Sequence, residues 1–569
     1  MARHAAIWLL QLLAAASCSS PEDEPASPPT DGGAAGAAGA GGAGGTGPSG
    51  DIVGSVARYG YGFDLASASA RAELAVAVEP PGGDCFAVRS ELQVTEPAWN
   101  AQPAESSVLE NGVLRVCGPG VPGGAELLVG ARAAVPEQTF LGLDVGFSRQ
   151  KDLAGGSFSY LLSWVGGCDH FGPCDDDPGR LSHFAFEVSH GPDDVVLCPG
   201  AVSAEPGLTR CTLDGTRAPT YSAFAIAADP KWVRKPFLKA AAVDIVFYEV
   251  PGGKIAQSLD PALIGDFMEW ITSLLGPFPY GPELRLAGGP TAWLGFEHPA
   301  NIILYEKLQK LQTGYADTAL HVVVHEIVHQ WAGDRTTLAS VADFVWKEAT
   351  CEYLTYVFED ELAPAGQAAA SLAYWDDVSL QADYHPRPTD DPLPALQDFY
   401  GDTYGPGPMV LYVQLESMLG RDVVLSAIKS FLAEPVARSV ADLKAALEGA
   451  SGQDLSAYFD AWVFGSGPPS WPHFEASSAA ADGKVTVTVT QQGEQLYGCA
   501  VEVRIVGEKS STTALVDFGL APKSPSASAT VPFAEPVVSI EVDPGHRVIG
   551  TSGNEPASRA KKPRPVWIL

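Results

Sequence analysis

The spacing of apolar residues changes twice along this chain, and these changes predict where its regions begin and end. From about residue 51 to residue 240, short strand-like runs such as Glu73–Val78 and His183–Val188 are bounded by clusters of Gly, Pro and Asp. Such punctuation is typical of short strands joined by turns. We therefore predict a β-rich N-terminal domain over residues 51–240.

Helical spacing replaces this pattern between residues 241 and 470. Asp260 and Pro261 suit the N-cap and first position of a helix, and apolar residues then recur at helical spacing until Gly276. Further helices are predicted from similar patterns over Thr318–Ala332, Phe344–Phe358, Pro408–Leu419, Val423–Leu432 and Ala441–Gly449.

A period of two returns after Trp471. Val485, Val487 and Val489 alternate with threonines, as expected of a strand with one buried face. Residues 471–550 therefore predict a C-terminal β-sandwich. Since 569 residues are too many for one core, the whole pattern predicts a multidomain α+β protein.

The first residues of the chain predict export and tethering. Residues 1–17 join Arg3 to the apolar run Ala5–Ala16, which is too short to span a bilayer. The run ends in Ala15-Ala16-Ser17-Cys18, which resembles a bacterial lipobox. We therefore expect a signal peptide cleaved before a lipidated Cys18, with an ordinary secretory signal as the alternative.

Residues 18–50 are rich in Pro, Gly, Ala and Ser and predict a disordered linker. Residues 551–569 predict a basic tail, and no later segment is long and apolar enough to span a membrane. The expected product is an exported lipoprotein held by a lipid anchor at the cell envelope, on the periplasmic side or at the cell surface.

The net charge indicates which kinds of partner the protein can bind, and the cysteine content indicates the redox state of its compartment. The 35 basic and 68 acidic residues give a formal net charge of −33, which would repel a phosphate backbone, so we expect no nucleic-acid partner. Apart from Cys18, eight of the nine cysteines remain (9 − 1 = 8), an even number that suits an oxidising compartment. Spacing leaves the connectivity open, although three neighbouring pairs are plausible disulfides: Cys85 and Cys117, Cys168 and Cys174, Cys198 and Cys211.

The candidate chemistry centres on His325-Glu326-Ile327-Val328-His329, inside the helix predicted over Thr318–Ala332. Residues four apart lie on one face of a helix, so both imidazoles can bind the same ion. Two histidines at this spacing suit zinc, and Glu326 suits the general base that takes a proton from water.

A catalytic zinc needs a third protein ligand and an open position for water. Glu348 follows His329 after eighteen residues, on the next predicted helix, and its apolar neighbours predict a buried position where an unpaired carboxylate is costly. We therefore expect one Zn²⁺ per chain, bound by His325, His329 and Glu348. His321 shares the metal-facing side of the first helix, but three ligands suffice, so we expect it to support the site or the core.

These residues resemble the M1 family of gluzincin aminopeptidases, in which HExxH is followed by eighteen residues and Glu. The extension Gln330-Trp331-x-Gly333-Asp334 is also similar to the family. So are the segments Leu294-Gly295-Phe296-Glu297-His298-Pro299, Tyr404-Gly405-Pro406-Gly407, Gly276-Pro277-Phe278-Pro279 and Cys174-Asp175-Asp176-Asp177-Pro178. The resemblance implies a thermolysin-like zinc catalytic domain over residues 241–470, in a short form without the long C-terminal helical domain.

The resemblance also implies roles for two further residues. Glu297, in a segment similar to the GxMEN motif, would accept the free α-amino group of the substrate. Tyr404, in a segment similar to the family's Tyr-x-x-Gly, would stabilise the tetrahedral oxyanion.

The expected function is therefore zinc-dependent hydrolysis of the N-terminal residue from peptides with a free N-terminus. Glu326 would be the general base for the metal-activated water. A zinc metalloendopeptidase and a catalytically silent peptide-binding lipoprotein are the alternatives.

Several positions depart from the family pattern. His298 stands where Asn is common, Phe296 where Met is common, Lys347 and Ala349 where Asn and Gly are frequent, and Pro406 where a basic residue is frequent. None of these changes removes a ligand, the base or the oxyanion donor. They bear on substrate preference and rate more than on the type of reaction.

Overall fold

The computed structural model describes residues 49–138, 145–213, 215–399 and 407–553. The expected signal peptide with Cys18, nearly all of the linker, Tyr404 and the tail beyond residue 553 lie outside the described residues. Within the described ranges, no helix is long and apolar enough to cross a membrane.

The N-terminal region consists almost entirely of strands, as the short runs predicted. On the first strand, Tyr59, Tyr61 and Phe63 are all buried, because alternate side chains of a strand point to the same face. In chain order the elements are β1 (Gly54–Asp64), β2 (Ser69–Val78), β3 (Gly82–Arg89), β4 (Val94–Trp99), β5 (Gln102–Pro103), β6 (Ser106–Glu110), β7 (Val113–Pro122), β8 (Glu126–Ala134), β9 (Glu137–Gln138), β10 (Gly146–Lys151), β11 (Ser157–Leu162), β12 (His183–Ser189), β13 (Val195–Leu197), β14 (Ala201–Glu205), β15 (Leu208–Thr212), α1 (Thr220–Ala223) and β16 (Ala225–Asp229).

These strands form three sheets. The largest has the order β14-β15-β12-β1-β2-β8-β4-β5, in which β1 runs parallel to β12 and antiparallel to β2. The second has the order β3-β7-β6, and the third β13-β16-β11-β10-β9.

Three disulfides join the neighbouring cysteines of this region: Cys85–Cys117, Cys168–Cys174 and Cys198–Cys211. The first of them links β3 to β7 at a point where the two strands pair. Cys351 and Cys499 are buried and form no disulfide. The spacing of the cysteines left their connectivity open, and in the structure each of these three disulfides joins two cysteines that are neighbours in the sequence.

A five-stranded sheet and a group of helices form the middle region. In chain order its elements are β17 (Val233–Ala240), β18 (Val243–Glu249), α2 (Ile255–Ser258), α3 (Pro261–Leu275), β19 (Glu283–Gly289), β20 (Gly295–His298), β21 (Asn301–Tyr305), α4 (Thr318–Val328), β22 (Thr337–Leu338), α5 (Phe344–Glu361), α6 (Gln367–Ser379), β23 (Arg387–Pro388), α7 (Leu396–Phe399), α8 (Met409–Leu419), α9 (Arg421–Phe431), β24 (Ala437–Arg438), α10 (Val440–Ser451), α11 (Ser456–Trp462) and β25 (Phe464–Gly465). Each predicted helix is present, with ends that differ by at most four residues (332 − 328 = 4).

The order of this sheet, β17-β18-β19-β21-β20, leaves β20 at an edge, where it pairs antiparallel with β21. Helix α3 begins as predicted, since the side chain of Asp260 accepts a hydrogen bond from Ala262 N and Pro261 takes the first position. Gly276, with φ of 93°, ends it, because glycine adopts positive φ without steric cost. Helix α4 packs against both β20 and α5, which brings three separate segments together.

The last described region contains two small sheets. Its strands are β26 (His473–Ala481), β27 (Lys484–Gln492), β28 (Ala500–Val506), β29 (Ser511–Asp517), β30 (Ser526–Pro532), β31 (Ser539–Val542) and β32 (Thr551–Ser552), in the orders β30-β27-β26-β32 and β29-β28-β31. Arg547 ties this region to the helices, because its guanidinium donates to Tyr356 Oη at 3.1 Å and to Glu416 Oε1 at 3.0 Å. The packing of the two sheets as a sandwich stays a prediction.

Candidate active site

The candidate site is built on α4, α5 and the edge strand β20. Asp317 is the N-cap of helix α4, and its carboxylate accepts a hydrogen bond from Leu320 N at 3.1 Å. This contact satisfies a free N–H of the first turn. Every residue of α4 is buried, and α5 is buried from Phe344 to Glu359. Polar side chains on these elements therefore meet one another in a place shielded from water.

Three side chains that suit a metal ion converge where the helices pack. Nε2 of His325 lies 2.9 Å from Nε2 of His329, and Oε2 of Glu348 lies 3.4 Å from each of these nitrogens. Ligands of a tetrahedral zinc, at about 2.0–2.1 Å from the ion, lie about 3.3 Å apart. The three atoms therefore fit one ion, and two imidazoles with one carboxylate are a donor set that suits zinc.

Hydrogen-bonding groups behind His325 and His329 orient the Nε2 atoms of both rings. Nδ1 of His329 donates to Ala332 O at 3.0 Å, which leaves its Nε2 free to bind a metal. Nδ1 of His325 lies 3.0 Å from Oε1 of Glu352, a residue that is fully buried. The carbonyl of Ala332 and the carboxylate of Glu352 thus favour the ring orientations in which both Nε2 atoms face the same point.

His321 lies behind His325, between two carboxylates. Its Nε2 is 3.1 Å from Oε2 of Glu352 and its Nδ1 is 2.9 Å from Oε1 of Glu359. Burial alone would lower the pKa of His321, but the two carboxylates raise it to about 9. The structure therefore places His321 as a supporting residue. Glu352 was not anticipated, although it follows Glu348 by four residues, a spacing that places two side chains on one helix face.

Glu326 points toward β20, beside the three atoms that could bind a metal ion. A Cβ at Gly295 would lie 2.5 Å from Oε1 of Glu326, so the carboxylate packs directly on the bare backbone of the strand. Oε2 has no hydrogen-bond partner among the described residues. Burial, supported by Glu297 and Glu348, raises the pKa of Glu326 to about 8. A carboxylate with a free oxygen in this position can accept a proton and return it.

Glu297 lies on β20 and is also buried. One of its oxygens lies within 4.8 Å of both a Glu326 oxygen and an imidazole nitrogen of His329. Nζ of Lys347 lies 2.8 Å from Oε1 of Glu297 and 2.6 Å from Oε1 of Glu348. Burial raises the pKa of Glu297, yet Lys347 and His329 together outweigh it and hold this pKa below its ordinary value. Lys347 departs from the family pattern, and its two contacts were not predicted from the sequence.

His298, another departure, makes contacts within the fold. Its Nδ1 donates to Ser222 O at 2.8 Å, and its Nε2 accepts from the hydroxyl of Tyr160 at 2.5 Å. Burial lowers the pKa of His298 to about 4, so the imidazole is neutral at physiological pH. His298 therefore anchors β20 to α1 and β11.

Of the residues singled out from the sequence, the structure brings five together: His325, Glu326, His329, Glu348 and Glu297. Tyr404 lies outside the described residues, so its role as an oxyanion donor stays a prediction.

Comparison with known proteins identifies the region that carries this site. Residues 297–462 match the model of the peptidase family M1 domain. A 157-residue segment is 26% identical to the probable aminopeptidase 1 of Sulfurisphaera tokodaii and covers 26% of this chain and 20% of that protein.

The fold is also similar to that in the crystal structure of Legionella pneumophila aminopeptidase A in complex with aspartic acid. The TM-score is 0.71 at 15% sequence identity, over 88% of this chain and 60% of that one. This chain therefore spans less than two thirds of each of these two proteins, and the structural likeness shows the fold alone.

Proposed function

From the peptidase family M1 domain that the chain contains, we propose that the protein is a zinc-dependent aminopeptidase that removes the N-terminal residue of peptides. The observation that carries this proposal is the convergence of His325, His329 and Glu348 on one point, with a buried Glu326 beside them. A metal site with three protein ligands and an adjacent free carboxylate supports hydrolysis, since a purely structural zinc is enclosed by four ligands.

The ligands and the base have separate tasks in the proposed reaction. His325, His329 and Glu348 hold the Zn²⁺, which when bound supplies Lewis acidity and makes water acidic enough to attack at neutral pH. Glu326 takes the proton of the attacking water through its free Oε2 and passes it to the leaving amine. Its burial beside the proposed ligands suits both transfers, because the carboxylate is held next to the reacting groups and can act first as base and then as acid.

Glu297 and Tyr404 are proposed to act on the substrate. A buried carboxylate on the strand next to the metal-binding atoms can receive the α-ammonium of the peptide as a charge-assisted hydrogen bond. A peptide without that ammonium cannot form this hydrogen bond with Glu297. The hydroxyl of Tyr404, a role implied by the family resemblance, would donate to the oxyanion that develops on the carbonyl.

The protein is further proposed to be exported and tethered by a lipid on Cys18. The lipobox-like segment and the linker support this proposal, and so do the three disulfides of the described region, which are rare in a reducing cytosol. Metabolic labelling with a fatty-acid analogue should mark the wild type and not Cys18→Ser. An unlabelled wild type would contradict the anchor.

The test of the catalytic proposal compares two matched sets of peptides, one with a free N-terminus and one acetylated. Zinc-loaded wild type should cleave the free set one residue at a time, and cleavage should disappear on chelation. Glu326→Gln is the control, because it preserves the shape and the three metal ligands while removing the base. Predominant internal cleavage, irrespective of the N-terminus, would instead support a zinc metalloendopeptidase. Absence of cleavage with zinc bound would support a peptide-binding lipoprotein.

A further inference from the structure

Lys347 lies in a slot shaped for a long charged side chain. It precedes Glu348 on α5 and is only 3% exposed. A Cβ at Gly333 would come within 2.8 Å of the Cε of Lys347, so the stem of the lysine lies against bare backbone. The hydroxyl of Tyr221 donates to Gly333 O at 2.7 Å and holds that backbone in place, and the Phe344 ring lies 5.4 Å from the lysine Nζ. These contacts therefore fix the position of the Lys347 Nζ.

That point lies between the proposed amine anchor and a metal ligand. Nζ is 2.8 Å from Oε1 of Glu297 and 2.6 Å from Oε1 of Glu348. On Glu348 the lysine takes the oxygen opposite to Oε2, which is the atom that faces the two histidines. Metal binding and the lysine contact are thus compatible. On Glu297, in contrast, the lysine pairs with the charge that the substrate would need.

We propose that Lys347 is a specificity-determining residue: an internal ammonium on Glu297 that reduces the advantage of a free α-ammonium in the substrate. This inference rests on the proposed role of Glu297. Two ammonium groups bound to the two oxygens of one carboxylate lie roughly 4–6 Å apart, and like charges at that separation repel strongly in a buried site. The lysine cannot swing away into water, because its whole stem is enclosed.

The consequence is weaker discrimination between free and blocked N-termini. A charge-assisted hydrogen bond to an unoccupied carboxylate ordinarily improves binding by about ten- to a hundredfold. With Lys347 already on Glu297, we expect the α-ammonium to improve binding by less than about tenfold. A neutral residue at position 347 should restore the larger factor.

The experiment measures, by calorimetry on zinc-loaded protein, the affinity of leucine hydroxamate and of its des-amino counterpart, which differ only in the α-ammonium. The ratio of the two dissociation constants is compared among wild type, Lys347→Met and Lys347→Arg. Methionine fits the apolar slot without a charge, and arginine retains the charge. Lys235→Met is the matched control, because Lys235 also pairs with a buried carboxylate, Glu249 at 2.9 Å, but on β17 at the opposite edge of the sheet.

The expected ratio is below about tenfold in wild type, Lys347→Arg and Lys235→Met, and about tenfold larger than wild type in Lys347→Met. A wild-type ratio above that bound, or a Lys347→Met ratio no larger than that of wild type, overturns the inference. If Lys347→Met does not fold, the wild-type ratio alone decides. Failure of both hydroxamates to bind would instead refute the zinc site, and with it the proposed function.

Discussion

Replacing Glu352 by Gln is expected to weaken zinc binding although Glu352 is not itself a ligand. Its Oε1 lies 3.0 Å from Nδ1 of His325, a proposed ligand. Its Oε2 lies 3.1 Å from Nε2 of His321 and accepts a hydrogen bond from Trp375 Nε1 at 3.0 Å. A carboxylate can accept from all of these N–H groups. A glutamine has one acceptor oxygen and a donating NH₂, so at least one N–H would face a donor.

The expected size of the loss in zinc affinity follows from the position of Glu352 directly behind a proposed ligand. Losing the partner that orients a metal-bound histidine typically costs 10- to 100-fold in metal affinity, or about 1.4–2.7 kcal/mol. Since Glu352 is fully buried, water cannot enter to replace the lost contact. We therefore expect Glu352→Gln to fall within this range.

The assay is competition for zinc between metal-free protein and a chelator of known affinity, with unfolding of the metal-free proteins measured in parallel. Glu359→Gln is the matched control. Glu359 is buried on the same helix and contacts the same His321 at 2.9 Å, and it accepts from Ser371 Oγ at 2.7 Å without touching a metal ligand. The control should bind zinc like the wild type. Equal losses in both variants would show a general effect of a buried charge, and unchanged affinity in Glu352→Gln would refute the orienting role.

Two further predictions concern the base and the response to pH. Gly295→Ala should lower kcat by about 10- to 100-fold, because the new Cβ would lie 2.5 Å from Oε1 of Glu326 and displace that carboxylate. Steady-state kinetics test this against the control Gly265→Ala, whose Cβ meets nothing within 4 Å. Equal kcat values in the two variants would contradict the prediction. Burial, with a contribution from Asp152, raises the pKa of Asp229 to about 7 from an ordinary 3.8. Folding therefore favours the neutral carboxyl. The contribution of this group to the stability of the folded state is complete below a pH of about 4 and is lost as the pH rises through about 7. The free energy of unfolding, from urea titrations at several pH values, should therefore fall more steeply over this range in the wild type than in Asp229→Asn, and parallel slopes would refute the assignment.

Local patterns were sufficient to place the proposed metal ligands: His325 lies on α4, His329 at the C-cap that follows it, and Glu348 on α5. The spacing of His325 and His329 sets both imidazoles on one helix face whatever the rest of the chain does. The apolar neighbours of Glu348 indicated a buried carboxylate, and the structure shows it buried. Helix ends were less accurate. The helix predicted to reach Ala332 ends at Val328, because the following residues turn so that Gly333 N bonds Thr336 O.

The sequence by itself determined which residue types stand at helical or strand spacing, and hence the elements and the three candidate ligands. Only the tertiary structure decided that Lys347 contacts Glu297, that Glu352 supports His325 and that Glu326 rests on Gly295. Lys347 and Glu297 are separated by 50 positions (347 − 297), and no periodicity relates them. Periodicity follows from the backbone geometry of a single element, whereas such contacts depend on how β20, α4 and α5 pack, which is decided by side chains throughout the core.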